Sequence, residues 1–114
     1  TDEQLKAFFL VSKVFALTSH HEGFCVPLIE AMALKVPAIV YLNAAVPHTI
    51  GDTSIGWEDL DARYFAASIN KVEEDKDIYN LLCEKGFKRY DSIFSNDAIS
   101  KEFFEILKPW IEKE

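Results

Sequence analysis

Glu22 and Glu30 are separated by seven residues in the stretch Ser19-His20-His21-Glu22-Gly23-Phe24-Cys25-Val26-Pro27-Leu28-Ile29-Glu30. Two carboxylates around a glycine loop that runs into a helix can do a particular kind of chemistry. The amides of the turn and of the helix start cradle an anion, because the first helical N–H groups have no acceptor of their own. The carboxylates accept hydrogen bonds from hydroxyls. Phosphates at the helix start and sugar hydroxyls at the acids suit a nucleotide-sugar.

The flanking elements position that loop. Val14 to Thr18 is an apolar strand, and Pro27 to Leu34 a helix with proline in its first turn and Leu28, Ile29, Ala31, Met32 and Ala33 to bury. Ala38 to Leu42 is a second buried strand, so the three elements form a parallel βαβ unit. A helix over Asp2 to Ser12 precedes them. Asn43 to Trp57 reads as loop, punctuated by Pro47, Gly51 and Gly56, with Ile55 to Trp57 as a brief edge strand. A helix over Asp61 to Val72 turns Phe65, Ala66 and Ile69 inward. Another over Asp77 to Tyr90 carries Tyr79, Leu82, Cys83, Phe87 and Tyr90. A last helix, capped by Asn96 or Asp97, presents Ile99, Phe103, Phe104 and Leu107 and is broken or kinked at Pro109.

Composition narrows the function. The 114 residues are 49% hydrophobic, enough for one core and one domain spanning 1–114. A formal net charge of -7 argues against nucleic acid or an anionic membrane as the main partner. No apolar run is long enough for a membrane span, and no leader peptide is visible. Cys25 and Cys83, well apart, read as reduced intracellular thiols. Two convincing strands are few for a free-standing α/β sheet. The chain therefore reads as the latter half of a doubly wound domain and a fragment of something longer.

Glu22-Gly23-Phe24-Cys25-Val26-Pro27-Leu28-Ile29-Glu30, followed by Ala31-Met32-Ala33, resembles the acid-x7-acid signature of retaining glycosyltransferases of the two-domain GT-B architecture. The group is the one that includes sucrose-phosphate and mannosyl transferases (group 1, family 4-like). Ser19 lies three residues before the first acid, as in that family. Pro37-Ala38-Ile39-Val40 matches its Pro-Val-Ile strand, and Pro47 with Gly51-Asp52 matches its Pro-Glu-x-x-Gly-Asp loop. The likeness covers almost the whole chain.

The resemblance implies a fold and a set of roles. The fold is α/β, the Rossmann-like half of a GT-B C-terminal domain, with parallel strands, flanking helices and a helical C-terminal tail. Glu22, the catalytic candidate, approaches the donor sugar near the reacting centre. The amides of Gly23, Phe24 and Cys25 reach the sugar, those near Val26 and Leu28 face the phosphates, and Glu30 accepts from the nucleotide ribose. The partners are a nucleoside-diphosphate sugar and the N-terminal GT-B domain of the same longer chain. That domain and the upstream segment bring the acceptor site and an Arg and Lys for the diphosphate. No metal and no cofactor beyond the donor substrate is implied. Without those parts the fragment binds weakly and transfers nothing. A cytoplasmic location is expected, peripheral to the membrane where the acceptor is a lipid.

Three departures bear on donor choice: Cys25 at a common glycine, Asn43-Ala44-Ala45-Val46-Pro47-His48 where two glycines and a final Glu are usual, and Lys35 at the glycine after the helix, weakening the helix stop. Other readings are weaker. Adjacent His20 and His21 point different ways and chelate poorly. Gly23 and Pro27 deny His21-Glu22 the continuous helix of a zinc-protease motif. Cys25 has no clear base and reads as a small packing residue, and His48 as a rim residue. The paired phenylalanines, Phe8-Phe9 and Phe103-Phe104, read as core and interdomain packing. The alternative function is a non-catalytic GT-B-like module that binds a nucleotide or a partner.

Overall fold

A computed structural model describes residues 1–113. Its sheet has three parallel strands in the order β1 (Phe15–Leu17), β2 (Ala38–Tyr41), β3 (Ile55–Trp57). Phe15 to Leu17 register with Ala38 to Val40, and Ile39 to Tyr41 with Ile55 to Trp57. The central strand is the most buried one, with Ala38, Ile39 and Val40 all inside. A strand covered on both faces needs such a continuous run, whereas one with a wet face alternates.

Helix α2 (Val26–Ala33) crosses over between β1 and β2. Its Leu28 and Met32 join Leu17, Ala38, Val40, Val46 and Ile50 in one core cluster, while Ala31 turns toward Phe9 of helix α1 (Asp2–Val11) and Val36. Burying each large apolar side chain stabilises by roughly 1.5–3 kcal/mol, so α2 is anchored from both sides. A complete capping box, Thr1 with Gln4, starts α1.

The stop of α2 is intact despite Lys35. The Val36 amide reaches the Ala31 carbonyl at 2.8 Å and the Lys35 amide the Met32 carbonyl at 3.2 Å, the paired bonds of a Schellman motif. Lys35 takes the left-handed conformation there (φ 57°), as does Ala44 (φ 48°), although neither is a glycine. Packing outweighs the local penalty, which is about 1–2 kcal/mol per residue.

Residues expected as loop contain helix α3 (Val46–Ile50). The glycines and proline signal a break, but Val46 and Ile50 have a core to enter and are almost fully buried. Helix α4 (Ala62–Glu74) begins at an Asp61 cap and packs on β2; it buries Phe65, Ser68 and Val72, leaving Ala66 exposed and Ile69 half-buried. Trp57 stacks on Tyr64 (4.8 Å) and donates Nε1–H to the Ser68 hydroxyl at 2.9 Å, which turns Ser68 inward. Helix α5 (Lys76–Arg89), capped by Asp75, packs on α2 through Cys83 and Gly86.

The C-terminal part differs from expectation in three ways. A π-helical segment, Tyr90–Phe94, continues α5, marked by the Ser95 amide bonding to the Tyr90 carbonyl at 2.8 Å. Helix α6 (Asn96–Ile111) is capped by the Ser95 hydroxyl, not by Asn96 or Asp97, and continues past Pro109 to Ile111. None of its side chains is buried: Phe103, Phe104, Ile106 and Trp110 are more than half exposed. Of the other aromatic pair, Phe9 is core and Phe8 exposed.

Candidate functional site

In a parallel sheet the loops after the strands and the N-termini of the following helices share one edge. The β1–α2 loop, Thr18 to Cys25, lies there with the start of α2. Glu30, on the second turn of α2, lines a cavity of about 200 Å³ with Ala33 and Leu34 of its own helix and Asp2, Leu5, Lys6 and Phe9 of α1. Glu22 is half-buried in the loop.

The loop is tied to the segment after β2. The Asn43 side-chain amide donates to the carbonyls of Ser19, at 3.1 Å, and His20. The Ala45 amide meets the Glu22 carbonyl at 3.5 Å, and the Thr49 hydroxyl the Phe24 carbonyl at 3.1 Å. His20 packs edge-on against Tyr41 at the end of β2, with ring centres 5.8 Å apart. The peptide carbonyls on this side of the loop thus have partners.

Each residue expected at the site has a definite place. Gly23 is exposed, and a Cβ built on it would meet nothing within 4 Å, so no neighbour in the protein demands its smallness. Phe24 is exposed, with its ring edge-on to Phe94 at 5.5 Å. Cys25 is buried and is the N-cap of α2, in the left-handed conformation (φ 57°) and without a side-chain cap bond. Val26 is the first helical residue and is exposed. Leu28 is fully buried, and its amide donates to the Cys25 carbonyl at 3.1 Å. Its side chain serves the core, and its N–H already has an acceptor within the first turn.

The electrostatics define what the loop can hold. Burial pushes the Cys25 thiol up; the Leu28 amide opposes this, and the Glu22 carboxylate beside it adds to the rise. The thiol therefore stays protonated at neutral pH and is a poor nucleophile. Both arginines of the chain are committed. Arg63 is paired with Asp61 on the surface (2.6 Å), and Arg89 donates to the carbonyls of His48 (2.7 Å) and Thr49 (2.8 Å). An anion at the loop would therefore rest on backbone amides and the helix dipole and not on an arginine, with Lys6 the cation lining the cavity beside Glu30.

Asn43, Ala45, Thr49, Arg89 and Phe94 hold the loop without being legible as site residues in the sequence. Asn43 stands out only as the first residue of the Asn43 to His48 departure, a polar residue directly after an apolar strand, with nothing to show that it ties the loop. Arg89 and Phe94 lie more than sixty residues from Glu22 and carry no local signal. His48 contributes its carbonyl to Arg89 while its side chain is exposed.

Comparison with known proteins bears on this arrangement. The family model described as "Glycosyl transferases group 1" matches residues 1–89. A probable sucrose-phosphate synthase of Thermosipho melanesiensis is 33% identical over 95 residues, covering 83% of this chain and 22% of that protein. A capsular polysaccharide biosynthesis glycosyltransferase of Staphylococcus aureus is 28% identical over 109 residues, covering 94% and 29%. The chain thus spans less than a third of these relatives. A solved sucrose-phosphate synthase from Thermosynechococcus elongatus superposes with a TM-score of 0.81 at 23% identity, over 98% of this chain and 29% of that one. Its likeness establishes the fold: an α/β, Rossmann-like arrangement of parallel strands and flanking helices with a helical tail.

Proposed function

The chain belongs to the group 1 glycosyl transferases, and from that premise we propose that it is the donor-binding part of a retaining enzyme that moves a hexose from a nucleoside-diphosphate sugar to a hydroxyl acceptor. The observation that carries the reading is the loop itself. Between two carboxylates lie an exposed Gly23 with open space above it and the start of α2, while the carbonyls of Ser19, His20, Glu22 and Phe24 are drawn back toward the β2–α3 segment.

The sugar sits over Gly23 to Cys25 with its hydroxyls toward Glu22, and the diphosphate meets the first amides of α2. The Val26 amide is the one better placed for this, since that of Leu28 is engaged. The ribose reaches Glu30, and the nucleoside continues into the groove between α1 and α2. In the transfer, the anomeric C–O bond to the diphosphate breaks as the acceptor oxygen adds on the same face. The acceptor proton passes to the departing phosphate oxygen. Glu22 positions and stabilises without a covalent intermediate, and the helix-start amides stabilise the developing charge. On this reading the acceptor domain and the cations for the diphosphate lie in the remainder of a longer protein; that the chain covers only 22% and 29% of two relatives supports it.

The engagement of both arginines favours one alternative, a GT-B-like module that binds a nucleotide or a partner without transfer. Titration with UDP, GDP, ADP and their hexose conjugates, followed on backbone amides by NMR, tests the first reading. Shifts clustered at Gly23 to Glu30, selective for one base and lost in Glu30→Ala, are expected. Silence across the panel at millimolar ligand refutes donor binding by this chain. Binding with no transfer in the longest native form of the protein establishes the alternative.

A further inference from the structure

Helix α3 has only five residues, too few to hold its own end. Its C-terminal carbonyls are capped from outside: the Arg89 guanidinium at the end of α5 donates to His48 at 2.7 Å and Thr49 at 2.8 Å. A forked cation on two helix-end carbonyls satisfies both acceptors and opposes the negative end of the dipole. Space for it is left by Gly51, which ends α3 with φ 57°; a Cβ there would lie 2.7 Å from an Arg89 nitrogen. The same guanidinium lies over the Phe94 ring, 5.7 Å from its centre.

Both contacts lead to Phe24. The Thr49 hydroxyl lies 3.1 Å from the Phe24 carbonyl and 3.2 Å from the Ala45 carbonyl, so it ties the loop to the helix that Arg89 caps. Phe94 sits edge-on against the Phe24 ring at 5.5 Å and 75°. It ends the π-helical segment, whose wider turn sets its place relative to Arg89. Exposed Phe24, beside exposed Gly23, is thus held at its carbonyl and at its ring by two groups that converge on one half-buried cation.

We propose that Arg89 is a positioning residue for the site, acting through Thr49 and Phe94 to fix the backbone of Gly23 to Cys25 before a ligand arrives. The proposal rests on the donor-binding reading of that loop. A loop ordered in advance spares the ligand the entropy of ordering it, and the gain appears as affinity. Arg89 touches neither the donor nor the reacting atoms; without it α3 frays at His48 and Thr49, and the Phe24 peptide swings.

Two variants test this in the protein. Thr49→Val removes one hydroxyl from a buried side chain of matching shape. Arg89→Lys keeps the charge but cannot span both carbonyls. The readouts are amide order parameters without ligand, the thermal midpoint, and the affinity for whichever of the UDP, GDP and ADP sugars the parent binds best. In both variants the order parameters at Phe24 and Cys25 should fall while those of α4 stay unchanged. Affinity should weaken about tenfold, the effect of one residue that must be ordered on binding. Unchanged order at Phe24 and Cys25 in Thr49→Val overturns the proposal even if Arg89→Lys fails to fold. A loss spread evenly over α4 and the sheet overturns it too, since that signature is general destabilisation. If the parent binds no member of the panel, the donor reading fails, and the ligand-free order parameters still decide whether Arg89 holds the loop.

Discussion

Gly23→Ala separates a glycine needed for folding from one needed for a ligand. Gly23 is exposed, its φ lies outside the left-handed region, and a methyl group built on it has no neighbour within 4 Å. The unliganded protein therefore accepts alanine without strain. Restricting the unfolded chain should even stabilise it, by about 0.4–1 kcal/mol. A donor sugar lying against this backbone would instead collide with the methyl group. Overpacking of that kind costs about 1–3 kcal/mol, or roughly 5- to 150-fold in affinity. The assay pairs urea denaturation without ligand with the NMR titration of the nucleotide-sugar panel. A more stable protein that binds its nucleotide-sugar at least fivefold more weakly is the expected result. Equal or tighter binding by the alanine variant would refute the close approach of the sugar to Gly23. A loss of stability would show that the loop conformation itself depends on glycine.

Three further outcomes follow from the packing and the charges. Leu28→Ala empties a fully buried position in α2 and should cost about 2–5 kcal/mol in urea denaturation; a cost below about 1 kcal/mol would contradict its core role. Ala44→Gly relieves a left-handed φ of 48°, worth about 1–2 kcal/mol, against about 0.4–1 kcal/mol of added chain entropy. A small rise in thermal midpoint should follow, and a fall would mean that the segment tolerates its left-handed alanine without penalty. The Asp75 carboxyl is held below its ordinary value of 3.8, first by the Ile78 amide and then by Lys71. Its folded value is the lower one, so its stabilisation is complete above the unfolded value and disappears as pH falls from about 4 through the folded value. Asp75→Asn keeps a capping oxygen but cannot titrate, so the thermal midpoint should fall less between pH 5 and pH 3 than in the parent. Parallel curves for the two proteins would show that Asp75 carries none of the acid sensitivity.

Much of the architecture was decided locally. The run at Ala38 to Val40 dictates a strand buried on both faces, and Pro27 ahead of Leu28, Ile29 and Met32 dictates a helix that starts beside the loop and enters the core. Period and punctuation are properties of neighbours in the chain, so β1, α2 and β2 were readable, and with them the edge of the sheet that bears Glu22 and Glu30. Glycine signals misled at Asn43 to Trp57, because burial of Val46 and Ile50 gives α3 what local propensity denies it. Pro109 does not break α6, which runs two residues past it to Ile111.

What only the tertiary structure decided is how the loop is held. Asn43 on Ser19 and His20, Thr49 on Phe24, Arg89 on the end of α3 and Phe94 against Phe24 are pairings between elements. So is the commitment of Arg89 to carbonyls instead of an anion. A hydrogen bond depends on distance and angle in space, and residues twenty-four or forty positions apart leave no periodic trace of it in the sequence. Residue type and spacing therefore determined which groups the protein carries to the edge of its sheet. Folding determined which of them still have a donor, an acceptor or open space to offer a ligand.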